Sequence, residues 1–370
     1  MGGRGPVSGE FHRLRVLETR AETKDTTTVS FDVPAPLRDT FRWRAGQHIT
    51  LRFRIDGRER RRSYSISETP FGDSPLRITV KRVRGGLVSN HINQNLAAGQ
   101  IIEVMPPFGG FCLDPDPRKR RTHYFFGAGS GITPLYAMIR SVLAAEPHSV
   151  ALLAYGNTDA DRIIFRNALA GLESGSGDRL RVRHILSSPT PTSRIRHWRH
   201  GRIGPQLVAE FIDHHPPYAQ DTRYYICGPG NMNPVVRAAL RGLDVPEERI
   251  HTESYSPTAS PDDSVAGVGA ALTVILNGET LSVPAAAGQT ILDAVRSAGA
   301  TPPYSCESGV CGACRAHLQT GSAHLRATMA LTRSEIAHGV ILTCQALPTT
   351  PHITVEYPEN WIPIRLGRSF

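Results

Sequence analysis

No stretch of the chain approaches the roughly 18 consecutive apolar residues of a membrane-spanning helix, so no membrane partner is expected. The first ten residues, Met1 to Glu10, are glycine-rich and polar and lack the apolar core of a secretory signal, which points to the cytoplasm. There is no H-E-x-x-H metalloprotease helix and no G-x-S-x-G nucleophile turn. Lysine is nearly missing: only Lys24, Lys81 and Lys119 stand among 42 basic residues. The arginines that carry the charge lie scattered along strand-like segments, not clustered with aromatics. A phosphate-bearing cofactor or an acidic protein therefore suits them better than nucleic acid. What is present is an ordinary globular mixture. With 370 residues, 40% of them hydrophobic and 20% charged, the chain can bury two or three cores.

The charge is uneven. Residues 1–120 carry 21 basic and 13 acidic side chains, residues 121–256 carry 15 and 12, and residues 257–370 carry 6 and 8. The organisation changes at similar points. Residues 11–110 show short alternating runs separated by turns (Thr27–Val33, His48–Phe53, Leu76–Val83, Ile101–Met105), as in a small antiparallel barrel. Beyond the proline-punctuated break at Asp114–Arg118, apolar runs alternate with helix-like stretches, which predicts a parallel α/β sheet. Ser256–Gly269 has linker composition. Two strands joined at Asn277-Gly278 then predict a hairpin, followed by a helix over Ile291–Ala298 and strands near Ile341–Cys344 and His352–Tyr357. The expected limits are 8–117 for the barrel, 118–256 for the α/β domain, 257–269 for the linker, 270–358 for a last small domain and 359–370 for a tail.

Six cysteines could form three disulfides, but small disulfide scaffolds are short and secreted, and this chain is long and shows no secretory signal. Four fall near the C-terminus as Cys306-x4-Cys311-x2-Cys314, with Cys344 after a gap. This is the plant-type spacing for a [2Fe–2S] cluster. Structural zinc also takes four thiolates but usually pairs two C-x2-C units, and only one is present. Gly309 and Gly312 let the loop bend so that N–H groups face the sulfurs. Cys112 reads as a small buried residue.

Three further motifs carry chemistry. In Arg62-Ser63-Tyr64-Ser65, an arginine, a tyrosine and a serine at alternating positions are expected to point one way, offering a cation, a ring and a hydroxyl. Downstream, Gly85-Gly86-Leu87-Val88-Ser89 is a turn opening a short helix that can present N–H groups to a pyrophosphate; an ordinary hairpin turn would look the same. Gly127-Ala128-Gly129-Ser130-Gly131-Ile132-Thr133-Pro134 lies between a strand and a helix, as phosphate-cradling loops do. Ile132 stands where the strict dinucleotide fingerprint needs its third glycine. Cys227-Gly228-Pro229 ends a later parallel strand, where ligands of open α/β sheets sit, although a buried cysteine there is equally ordinary.

In this order, the four motifs resemble the ferredoxin–NADP⁺ reductase superfamily over about residues 10–358. They are most similar to its members with a C-terminal plant-type ferredoxin domain, the reductase components of oxygenases of the phenylacetyl-CoA epoxidase and 3-ketosteroid 9α-hydroxylase type. The resemblance implies a multidomain fold: an antiparallel β-barrel flavin domain, an α/β parallel-sheet nucleotide domain and a β-grasp ferredoxin domain. It implies FAD, NAD(P)H and a [2Fe–2S] cluster held by Cys306, Cys311, Cys314 and Cys344. By similarity, Arg62 and Ser63 hold the flavin, with Arg62 on its pyrophosphate, Tyr64 stacks on its ring and Ser65 bonds near N5. Val80, Lys81 and the Gly86, Leu87, Val88, Ser89 turn contact its phosphate end. Gly127, Gly129, Ser130, Gly131 and Pro134 take the nicotinamide cofactor's pyrophosphate, and Thr133, Cys227, Gly228 and Pro229 approach the nicotinamide. Glu253 matches an acidic residue near the flavin–nicotinamide contact.

Tyr64, Ser65, Cys227 and Glu253 are thus the expected catalytic set. The implied route runs as a hydride from NAD(P)H to flavin, then as single electrons to the cluster and a partner oxygenase. A ferredoxin-fused donor to a desaturase or diaphorase shares these motifs, and an iron–sulfur redox sensor is the non-enzyme alternative. Thr158 stands where many relatives have an arginine for the NADP 2′-phosphate, with Arg162 and Arg166 nearby, so NADH and NADPH both stay open. Ser187–Arg202 and the apolar residues of the tail, Trp361, Ile362, Ile364 and Phe370, depart from the family pattern. The basic first part and mildly acidic last part suggest opposite fields holding the ferredoxin domain over the flavin, with the linker as hinge.

Overall fold

The computed structural model describes residues 10–188, 198–257 and 260–358. The tail and most of the 187–202 segment lie outside the described residues. The first part contains strands β1 (His12–Thr23), β2 (Thr26–Asp32), β3 (His48–Ile55), β4 (Arg58–Ser65) and β5 (Leu76–Lys81), helix α1 (Leu87–Asn95) and strand β6 (Ile101–Phe108). The antiparallel order is β4-β3-β6-β1-β2-β5, and an Ile66–Ile78 bridge brings the end of β4 to β5, closing the sheet towards a barrel. Alternation accounts for its core: Leu14, Val16, Ile49, Leu51 and Val104 point inward, with Val88 and Ile92 of α1 packed on them.

The second part runs β7 (Arg121–Ala128), α2 (Ile132–Ala145), β8 (Val150–Asn157), α3 (Arg166–Gly175), β9 (Leu180–Leu186), β10 (Arg199–His200), α4 (Pro205–His214), β11 (Asp221–Cys227), α5 (Met232–Gly242) and β12 (Ile250–Glu253). All strands are parallel, in the order β10-β9-β8-β7-β11-β12. Helices cover both faces, which is why β7 and β8 are apolar along nearly their whole length. Helix α3 starts only at Arg166, because Ile163, Ile164 and Phe165 are buried loop residues filling the core before it.

The chain leaves β7 in one direction across the sheet and returns on its other side at β11. The loops after these two strands therefore meet at the topological switch point. Their approach demands glycine: a Cβ on Gly131 would lie 2.0 Å from the Cys227 carbonyl oxygen.

The third part has β13 (Ala270–Leu276), β14 (Glu279–Ala285), α6 (Ile291–Ser297), β15 (Arg315–Thr320), β16 (Ala323–Leu325), α7 (Arg333–Ala337), β17 (Val340–Leu342), β18 (Ala346–Pro348) and β19 (His352–Tyr357). A five-stranded sheet, β14-β13-β19-β15-β17, curls around α6. The hairpin turns at Asn277 and Gly278, both at positive φ. Strand β17 stops at Leu342, leaving Cys344 in the turn after it, where the Gln345 N–H donates to the Leu342 carbonyl. The latter part of the linker lies against this domain. The Asp262 N–H donates to the Arg326 carbonyl, Asp263 pairs with Arg326 at 2.7 Å, and the Val268 N–H donates to the Pro348 carbonyl. No helix among the described residues is long and apolar enough to cross a membrane.

The base of β7 is held by a buried charge cluster. Glu146, fully buried, accepts from Arg121 at 2.8 Å and from the Asp116 N–H at 3.0 Å, and lies 2.9 Å from His123 Nε2. Burial pushes this carboxyl up, but hydrogen bonds from His123 and Ser149 outweigh it and hold it at about 2. Burial also lowers the His123 imidazole, against the pull of Glu146. Both groups bind protons more weakly when folded. The His123 contribution to stability is therefore lost as pH drops below its ordinary 6.5, and the Glu146 contribution as pH drops from 4.5 towards about 2. Urea unfolding across this range should show stability falling steadily on acidification. Glu146→Gln should flatten the lower part of that slope and cost about 3 kcal/mol at neutral pH; an unchanged slope would show that the cluster does not govern it.

Candidate functional site

Strand β4 does not present its motif on one face. Pairing with β3 sets Tyr64 opposite Ile49 and Arg62 opposite Leu51, on the inward-facing row, while Ser63 and Ser65 pair with Thr50 and His48 on the other. Arg62 and Ser65 are three residues apart, an odd number, so the expectation of a common direction for arginine, tyrosine and serine fails on the period of two. Tyr64 packs beside the barrel core, and burial pushes its phenol up. Arg62 is exposed and donates to the Arg61 carbonyl.

The other face of β4 meets the C-terminal strands of the α/β domain at one phenol. Tyr255 Oη lies 2.8 Å from Ser65 Oγ and 3.1 Å from Thr133 Oγ1 and contacts the Cys227 thiol. Ser65 also donates to Glu253 at 3.3 Å, and His48 Nδ1 stands 3.7 Å from the same carboxylate. Asn233 holds the segment by donating to the Glu253 carbonyl at 2.7 Å. Four predicted residues (Ser65, Thr133, Cys227, Glu253) thus come together. The two that sequence reasoning missed are Tyr255 and His48. Tyr255 follows Glu253 by two residues, the one local signal available, whereas His48 is brought in only by its pairing with β4. Burial pushes the Cys227 thiol well above its ordinary value, and enclosure of the Tyr255 hydroxyl among Ser65, Thr133 and Cys227 raises that phenol although its ring is 42% exposed.

Around the glycine loop, Thr133 Oγ1 donates to the Ser130 carbonyl at 3.0 Å and Gly129 sits at positive φ. Pro134 lies in the first turn of α2, where its missing N–H costs nothing. A Cβ on Gly129 would be 3.7 Å from Lys81 Nζ, so the cation of β5 borders the loop. Gly228 abuts Met232 and leads into α5 with Pro229, whose carbonyl accepts from the Met232 N–H. Val80 and Val88 are core residues of the barrel. Ser89 is buried, its hydroxyl bonded to the Val83 N–H and the Gly86 carbonyl, and Leu87 is exposed. The side chains of this turn therefore brace it, and a ligand would meet its backbone at the N-terminus of α1.

The four cysteines lie together in two pairs. Cys306 and Cys311 interact side by side: the Ser308 and Cys311 N–H groups donate to Cys306 Sγ at 3.4 Å, and the Ala313 N–H donates to Cys311 Sγ at 3.5 Å. Cys314 and Cys344 form the other pair. Hydrogen bonds from Cys311 and from backbone N–H groups pull the Cys306 thiol down, while contact with its partner and burial push Cys311 and Cys314 up. Glu307, Gly309 and Gly312 take positive φ, the bend that aims these N–H groups. Among the described residues no three metal-ligating side chains converge on a single point. Two thiol pairs suit two irons, each taking two thiolates, better than one zinc.

Arg315, only 7% exposed, follows Cys314, donates to the Ala330 carbonyl and lies 3.6 Å from Glu335. Cys112 is half-buried, its thiol pushed up to about 12 chiefly by burial.

A cavity of about 190 Å³ joins these pieces. Ser65, Glu253 and Tyr255 line it together with Cys306 and Cys311. His48 also lines it, and its Nε2 is buried with no protein partner, an orphan that a polar ring atom would satisfy. An aromatic redox group between the Ser65 hydroxyl and the cysteine loop fits this arrangement.

Fold and site together define an oxidoreductase that holds a flavin, a nicotinamide nucleotide and an iron–sulfur cluster. Residues 13–112 match the oxidoreductase FAD-binding domain, residues 125–238 the oxidoreductase NAD-binding domain and residues 274–349 the 2Fe-2S iron-sulfur cluster binding domain. The chain is 34% identical to a subunit of the 1,2-phenylacetyl-CoA epoxidase of Escherichia coli over 94% of its own length and 98% of that protein. It is also 34% identical to the ferredoxin reductase component of 3-ketosteroid-9-alpha-monooxygenase of Rhodococcus rhodochrous, covering 93% and 96%. Among solved structures it resembles an intact type IV self-sufficient cytochrome P450 monooxygenase (TM-score 0.70, 25% identity), covering 95% of this chain and 43% of that one. Phthalate dioxygenase reductase shares the fold (TM-score 0.58, 23% identity), covering 94% and 98%. The chain belongs to the ferredoxin–NADP⁺ reductase superfamily, among the members that carry a C-terminal plant-type [2Fe–2S] domain.

Two outcomes test this geometry. Gly131→Ala should destabilise the fold by about 1–3 kcal/mol, because its Cβ meets a backbone carbonyl that cannot swing away; thermal unfolding measures it, and an unshifted midpoint would contradict the close approach. Arg315→Met should lower the midpoint potential of the cluster in an EPR-monitored titration, since a buried cation favours the more negative reduced state. An unchanged potential would leave Arg315 a packing residue only.

Proposed function

We propose that the chain is the reductase component of a multicomponent oxygenase, taking electrons from NAD(P)H and delivering them singly, through its [2Fe–2S] domain, to a partner oxygenase. The observation that carries this reading is the cavity shared by Ser65 of the flavin strand, Glu253 and Tyr255 of the nucleotide domain and Cys306 and Cys311 of the cluster loop. Similarity to an epoxidase subunit and to the reductase component of a steroid monooxygenase supports the oxygenase as acceptor. FAD, when bound, accepts two electrons together and releases them one at a time, the conversion a nucleotide and a one-electron cluster need between them.

In this reading Arg62 and Ser63 bind the flavin, Arg62 by its pyrophosphate, and Tyr64 lies along its ring. The Ser65 hydroxyl orients the reactive edge. Val80 and Lys81 with the Gly86–Ser89 turn hold the phosphate end. Gly127, Gly129, Ser130, Gly131 and Pro134 cradle the nucleotide pyrophosphate at the start of α2, with Thr133 towards the nicotinamide. Cys227, neutral and fully buried, excludes water beside the nicotinamide, with Gly228 and Pro229 giving it room. Glu253 fixes Ser65 through their hydrogen bond. Cys306, Cys311, Cys314 and Cys344 ligate the cluster. Domain limits at 8–117, 118–256 and 270–358, with a 257–269 linker and a 359–370 tail, accompany this assignment.

The partner is read as protein rather than nucleic acid because several barrel arginines are already paired, as in Arg15–Asp32, Arg52–Glu103 and Arg77–Glu68. Six unbridged cysteines suit a reducing cytoplasm.

The deciding experiment is anaerobic visible spectroscopy of the purified protein before and after NADH or NADPH. Flavin and iron–sulfur bands should bleach together, the faster nucleotide identifying the physiological donor, and an added non-haem iron oxygenase should restore the iron–sulfur band. A colourless protein containing zinc and no flavin would overturn the reading.

A further inference from the structure

We propose that Arg61 and Tyr304 form a latch that docks the cluster loop onto the flavin strand and so sets how fast electrons cross between the two domains. The proposal rests on the reductase reading above and adds the residues that hold its two halves together.

Arg61, Ser63 and Ser65 are consecutive residues of one face of β4. Ser65 reaches the nucleotide domain. Ser63 and Arg61 reach the ferredoxin domain, at the two residues that precede the first cluster ligand. Ser63 Oγ lies 2.9 Å from Ser305 Oγ. The Arg61 guanidinium lies over the Tyr304 ring at 3.8 Å, and Arg296 covers the same ring at 4.3 Å. Phe11 backs Arg61 at 4.8 Å. Glu59 finishes the arrangement: it accepts from Arg61 Nε at 2.8 Å and from the Tyr304 hydroxyl at 3.2 Å.

Arg61 and Tyr304 are each 8% exposed, and an arginine is seldom that buried unless it is engaged. A cation over an aromatic face is strongest when water is kept away. The latch therefore joins the strand that carries the flavin motif to the loop that carries the cluster, through contacts two residues long on each side. Arg61, Tyr304, Ser305 and Glu59 themselves edge an open polar cleft of about 500 Å³ that Arg296 and Glu307 also line, so loss of the ring would admit water between strand and loop.

This geometry differs from docking by opposite fields. The contact is a buried stack, in which salt screens little. Transfer between the domains should accordingly depend weakly on ionic strength and strongly on the ring and the guanidinium.

The test uses the full-length, cofactor-loaded protein in anaerobic stopped-flow mixing with its nucleotide, following flavin and iron–sulfur absorbance separately. Arg61→Ala and Tyr304→Ala should leave the flavin phase at the wild-type rate and slow the iron–sulfur phase by roughly thirtyfold, the shift expected on losing a desolvated cation–π contact. Tyr304→Phe, which keeps the ring, should stay close to wild type. Hydrogen exchange across residues 303–312 should rise in Arg61→Ala, whose substitution lies outside the ferredoxin domain. An unchanged EPR signal of the chemically reduced cluster would show the cluster itself intact. An iron–sulfur phase in Arg61→Ala as fast as in the wild type, or unaltered exchange, would overturn the latch while leaving the reductase reading standing. Absence of either phase in the wild type would overturn the reductase reading itself.

Discussion

Side chains on a β-strand alternate between two faces, and the whole electron path depends on how β4 uses that alternation. Its inward row carries Tyr64 and Arg62. Its outward row carries Arg61, Ser63 and Ser65, which touch Tyr304, Ser305 and the Tyr255–Glu253 pair in turn. One strand thereby contacts both other domains. A one-residue slip of β4 against β3 would exchange the rows and separate all of these contacts at once. The β3–β4 ladder runs through eight paired positions without a bulge, and the fully buried Ile49 and Leu51 oppose any slip.

A second constraint acts at the switch point of the parallel sheet. Gly131 approaches the Cys227 carbonyl so closely that no side chain fits. That approach brings Thr133 and Cys227 to the same phenol. The groups gathered there are hydroxyls and a buried thiol beside the Glu253 carboxylate and the His48 ring. The buried Glu146 pairs with Arg121 and His123 at the opposite end of β7.

Much of this architecture is legible in the chain. The change from two-residue to helical periodicity near residue 122 marks the passage from barrel to α/β sheet, because a strand covered on one face and a strand covered on both must carry different patterns. Asn277-Gly278 predicts its hairpin because both positions need positive φ. The cysteine spacing predicts the cluster because three ligands on one loop are a local property. Arg62 and Ser65 do not share the direction expected of them, because parity along a strand separates them. His48 carries no signal: a lone histidine acquires its place only when β3 pairs with β4.

The sequence by itself determined the three domains, the cofactors they hold and the residues supplied by contiguous motifs, since periodicity, glycine loops and ligand spacing act over a few residues of chain. Only the tertiary structure decided what those motifs face. The meeting of Ser65, Thr133, Cys227 and Tyr255 joins residues up to 190 positions apart, and the stacking of Arg61 on Tyr304 joins two domains. Such contacts follow from strand order and domain docking, which depend on the burial of whole surfaces and leave no local trace in the chain.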